Sequence, residues 1–105
     1  MIIFDTNKNI IQQLKRIIPT KVKAISTLED GILLLKSDIW IHTLMIGVPS
    51  EDLVNWIIAV QPPIRNIIVY CEWSDTLKIL IDKLRNAHYN TNHIPLDTIK
   101  ERLSK

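Results

Sequence analysis

The chain has 105 residues, 47% of them apolar and 23% charged, with a formal net charge of +2. That is the make-up of one globular domain over residues 1–105, with no apolar run near the roughly 20 residues that cross a bilayer. A single cysteine, Cys71, permits neither an intramolecular disulfide nor a cysteine-based metal cluster.

Ile2–Phe4 is a short apolar start that reads as a strand, and Met1–Asp5 is not built like a secretory leader. The expected setting is therefore the reducing cytoplasm. Asp5, Thr6 and Asn7 are helix-capping types. Behind them Ile10, Ile11, Leu14, Ile17 and Ile18 fall on one helical face, with Lys8, Gln12, Gln13, Lys15 and Arg16 on the other. Pro19 ends that helix, because the residue before a proline avoids helical angles. Residues 21–26 alternate polar with apolar, as a half-exposed strand near a sheet edge does. Thr27, Leu28, Glu29 and Asp30 then open a short helix with Leu28, Ile32 and Leu35 on one side. Gly31 inside it costs on the order of 1 kcal/mol relative to alanine, so an irregular element is expected.

Residues 38–46 read as an interior strand, apolar on both faces, with Trp40 in the core. Gly47, Val48 and Pro49 end it. Ser50 caps a third helix, Glu51 and Asp52 occupy its first turn, and Leu53, Val54, Ile57 and Ile58 form its buried stripe. Trp56 and Val60 lie off that stripe, and Pro62 and Pro63 stop the helix. Residues 67–71 are short, β-branched and unalternating, the pattern of a central strand covered on both faces. Ser74 caps the next helix, whose apolar face runs Leu77, Leu80, Ile81, Leu84, His88. Asn90, Thr91 and Asn92 read as a turn. Residues 93–96 read as a last strand, kept at an edge by Pro95, and Asp97 as the cap of a final helix bearing Ile99 and Leu103.

Strands separated by single helices must cross over, and crossovers give parallel strands. The expected fold is α/β: a compact, flavodoxin-like, doubly wound parallel sheet of about five strands with helices on both faces.

In such sheets ligands bind beyond the carboxyl ends of the strands. That rule selects Asp5, Thr6 and Asn7 after the first strand, and His42 and Thr43 within or near the end of the third. After the fourth it selects Cys71, Glu72 and Trp73. The only glycines are Gly31 and Gly47, too few for a dinucleotide loop or a P-loop, so no cofactor is expected. His88 and His93, with Asp97 nearby, match no zinc spacing, and no metal is expected.

In length and element order the chain resembles a response-regulator receiver domain. That family places paired acids after its first strand and a phosphorylated aspartate at the end of its third. Here the first strand offers Asp5 alone, and the third offers His42 and Thr43 without an acid. The resemblance therefore implies a degenerate, non-phosphorylated receiver-like module. Residues 66–72, followed by Leu80, Leu84, His93 and Ile94, also resemble the start of the second lobe of superfamily 2 helicases, without its arginine-rich ATP motif. Cys71, at a strand end before a helix, is placed similarly to the cysteine of rhodanese-type sulfur-transfer domains, which implies a cysteine-dependent enzyme. Glu72 and Asp75 would oppose a thiolate there, and core filler is the plainer reading of the thiol.

Two surface readings complete the set. Trp56, Val60 and Trp73, with Ile64 nearby, would form an apolar patch for a protein partner, including a second copy in a homodimer. The charge is uneven: residues 1–28 hold five bases against one acid, whereas residues 29–75 hold two bases against seven acids. Lys8, Lys15, Arg16, Lys21 and Lys23 could touch nucleic-acid phosphates, with steep salt dependence. The leading expectation is a small non-enzymatic interaction or regulatory module. The alternatives are a nucleic-acid-associated accessory protein and a cysteine-dependent enzyme.

Overall fold

Five strands and five helices alternate along the described residues of a computed structural model, which are 1–36, 40–48 and 50–103. They are β1 (Ile2–Phe4), α1 (Lys8–Ile17), β2 (Lys23–Ile25), α2 (Leu28–Lys36) and β3 (Ile41–Ile46), then α3 (Glu51–Val60), β4 (Ile64–Val69), α4 (Asp75–Asn86), β5 (Asn90–His93) and α5 (Leu96–Leu103). All five strands are parallel and form one sheet in the order β2-β1-β3-β4-β5. That is the strand order of the flavodoxin-like doubly wound class. The middle strand is β3, and β4, which the sequence suggested as the centre, lies beside it with a neighbour on each side. None of the described helices is long and apolar enough to cross a membrane.

Pleating sends alternate side chains of the interior strands to opposite faces, so each face carries its own core. On one, Phe4, Leu44, Ile46, Ile67 and Val69 meet Leu53, Val54 and Ile57 of α3 and Leu77, Leu80, Ile81 and Leu84 of α4. Leu28 and Leu34 of α2 pack on the margin of the same layer. On the other, Ile3, Met45 and Tyr70 meet Ile11 and Leu14 of α1, Ile18, and Ile99 of α5.

The caps follow the sequence at four helices. Asn7 Oδ1 accepts from the amides of Asn9 and Ile10, Thr27 Oγ1 from Asp30, Ser50 Oγ from Leu53, and Ser74 Oγ from Leu77. The last helix differs: Pro95 stands before it, and Asp97 lies inside its first turn. Gly31 does not disorder α2. An added Cβ there would sit 3.1 Å from Ile25 Cδ1, so the glycine lets the helix lie close on the sheet. Leu33 is exposed, and the expected role of Leu35 falls outside what is described of the side chains.

Three further expectations are corrected. The last strand begins at Asn90, because Asn90–His93 pairs in register with Asn66–Val69, and what read as a turn is edge strand. Helix α4 ends at Asn86, so His88 is exposed in the following turn at φ 70° and does not join the apolar face. Trp40 is 58% exposed, because it precedes the first paired residue of β3 and falls at the sheet's rim.

Candidate functional site at the carboxyl edge

The sheet's ladder runs one residue past β1, β3 and β4. Asp5 N donates to Ile25 O, Gly47 N to Phe4 O, and Tyr70 N to Ile46 O. This places Asp5, Gly47 and Tyr70 side by side at the switch point between β1 and β3, where doubly wound sheets hold ligands. Asp5 is 3% exposed and Tyr70 4%. Tyr70 Oη donates to Asp5 Oδ2 at 2.5 Å, and Asp5 Oδ1 accepts from the amide of Asn7 at 2.9 Å. The hydroxyl's pKa is pushed far up by burial first and then by the hydrogen bond to Asp5. Both carboxyl oxygens are thus engaged by the protein itself.

Gly47 makes this arrangement possible. A Cβ at that position would sit 2.3 Å from both Asp5 Oδ2 and Tyr70 Oη. The crevice is occupied by a phenol ring and a carboxylate, packed over the only residue type small enough to lie beneath them. Such a site holds a buried polar pair in place, almost closed to solvent.

Cys71 is half-buried one residue further on. Its thiol pKa is raised, chiefly by burial and further by the charge of Asp5. This is the wrong direction for a thiolate nucleophile. His93 does not approach the thiol as a base; its Nε2 donates to the carbonyl oxygen of Cys71 at 2.7 Å, which sets the ring's tautomer. The ring of Trp73 meets His93 edge-on at a centroid distance of 5.2 Å. Trp73 is nevertheless 51% exposed, and Glu72 beside it is exposed as well.

Of the strand-end residues, Asp5, Asn7, Cys71 and Glu72 do gather at this edge. His42 and Thr43 do not: they are the second and third residues of β3, three or more residues short of Gly47, and so stand toward the amino edge. His42 is exposed there with Nδ1 2.8 Å from the hydroxyl of buried Thr43. The apolar patch does not form as one surface either. Trp56 is half-buried against the core and Ile64 is buried, while Val60, 50% exposed, ends α3 at the opposite edge from Trp73.

The five bases do not form one surface: Lys21 and Lys23 line a cavity at the amino edge, and the others lie elsewhere. Lys8 opens α1 at the carboxyl edge, in a first turn without acids. Lys15 and Lys23 flank a shallow depression beside β2, and Arg16 lines a groove between α1 and α5. Among the described residues no group of three or more His, Cys, Asp or Glu is placed to hold a metal ion.

Sequence reasoning missed Tyr70 and Gly47, reading one as core strand and the other as a strand stop. The available signal was the hydroxyl closing an otherwise apolar run, opposite a lone aspartate at the end of the first strand. Compared with protein-family models, with curated proteins and with solved structures, the chain finds no match in any of the three.

Proposed function

We propose that this protein is a non-enzymatic regulatory module that works by binding another protein, with Trp73 at the centre of the contact. The observation that carries this reading is that Trp73 is exposed and yet fixed. Its ring rests on His93, and His93 is tied to the backbone of Cys71. An aromatic held in advance in its binding pose loses little freedom when a partner covers it, and such residues dominate interface energies. The stoppered switch point supports the same reading, since Asp5 and Tyr70 are bonded to each other and buried away from any substrate.

The test is sedimentation equilibrium of the wild type against Trp73→Ala, together with quantitative capture of binding proteins by both. Trp56→Phe, altered on a half-buried side chain, is the control. The expected result is association, with itself or with a partner, weakened at least tenfold by Trp73→Ala and unaffected by Trp56→Phe. A strict monomer whose captured proteins are the same with and without the Trp73 ring would refute the proposal.

A further inference from the structure

The opposite rim carries a different feature. Where β1, β2 and β3 begin and α2 ends, a cavity of about 290 Å³ opens between the sheet and the helix. That is near the lower limit of small-molecule sites, roughly 300 Å³. Leu34 and Ile41 give it an apolar floor, and Trp40 and His42 form one wall. Trp40 is more exposed than Trp73, and its ring is fixed by an edge contact with His42 and by the Arg65 guanidinium 5.9 Å from its centroid. Lys21 and Lys23 stand on the far wall, two residues apart and both exposed. No carboxylate is among the described lining residues.

We propose that this cavity binds an aromatic ring carrying a phosphate: a nucleotide, either free or as one residue of a single strand. The ring stacks on Trp40 over the apolar floor. Two lysines at alternate positions supply adjacent point charges for a dianion. The site is separate from the Trp73 surface and does not depend on that reading.

The experiment titrates the full chain with adenosine monophosphate and with an eight-residue oligo(dA), followed by tryptophan fluorescence and calorimetry at about 50 and about 200 mM salt. Adenosine and ribose 5-phosphate, each lacking one half of the ligand, should bind at least about tenfold more weakly than the better of the two nucleotides. Trp40→Ala should weaken binding at least about fivefold, and Trp40→Phe should retain most of it. The pair Lys21→Gln with Lys23→Gln should weaken binding and flatten its salt dependence, while Trp73→Ala leaves it unchanged. Binding of the mononucleotide identifies a free ligand. Binding of the oligomer alone identifies a strand. The proposal is overturned if neither binds at millimolar concentration, or if affinity is indifferent to Trp40 or to the lysine pair.

Discussion

Replacing Tyr70 with phenylalanine removes one oxygen and keeps the ring. The structure sets the size of the effect. The lost hydroxyl is the donor to Asp5 Oδ2, and both residues are almost wholly buried, so water cannot take its place without opening the site. A hydrogen bond to a charged group contributes about 1.5–3 kcal/mol, and a buried acceptor left without a donor loses that full amount. Tyr70→Phe should therefore lower stability at pH 7 by about 2–3 kcal/mol. For a domain near 100 residues that is a fall in Tm of roughly 8–15 °C. The bond itself is isolated by a cycle with Asp5→Asn, measured by urea unfolding of the four proteins. With the charge gone, losing the hydroxyl should cost at least about 1 kcal/mol less than in the wild type. If Tyr70→Phe changes stability by under about 0.5 kcal/mol, or the two substitutions simply add, the pair is not what holds the switch point shut.

Three other outcomes are expected. Gly47→Ala drives a methyl into the Asp5–Tyr70 contact and should destabilise by at least about 1–3 kcal/mol, read by thermal unfolding. Stability should fall with alkaline pH, because burial raises the pKa of Tyr70, Cys71 and Tyr89. The unfolded chain gives up those protons near pH 8.5 and pH 10 while the folded chain keeps them, so it binds fewer protons and the slope against pH is negative. In Tyr70→Phe the slope above about pH 10 should be shallower by up to about 1.4 kcal/mol per pH unit, as urea midpoints across pH 8–11 would show. Arg85→Ala should promote self-association, seen by light scattering. Ile94 N donates to β4, so by alternation Thr91 turns its amide groups to the free edge, where Arg85 Nε covers its carbonyl at 3.0 Å.

Much of the fold was legible because its signals are local. Serines precede acidic first turns at Ser50 and Ser74, prolines follow α1 and α3, and β-branched runs that show no alternation have to be covered on both faces. Failures came where a residue's meaning depends on distant neighbours. Thr91 and His93 read as turn and strand start because β5 is polar, and only its pairing with β4 makes it a strand. His42, read as within or near the end of its strand, stands toward the amino edge; the alternation is the same along the whole of β3 and does not mark which end a residue is nearer. Asp5 was picked out by position, but its partner is 65 residues away, and nothing near Tyr70 announces a buried carboxylate.

The two layers over the sheet are unequal, and this affects how the molecule opens. Three helices cover one face with a broad set of leucines and isoleucines, whereas α1 and α5 cover the other through Ile11, Leu14, Ile18 and Ile99. Less buried apolar area means a smaller free energy for detachment, so fluctuations should begin on the thin side. Tyr70 faces that side. Amide protons of α1 and α5 would then exchange with solvent well before those of α3 and α4, and each such excursion would briefly wet the Asp5 carboxylate.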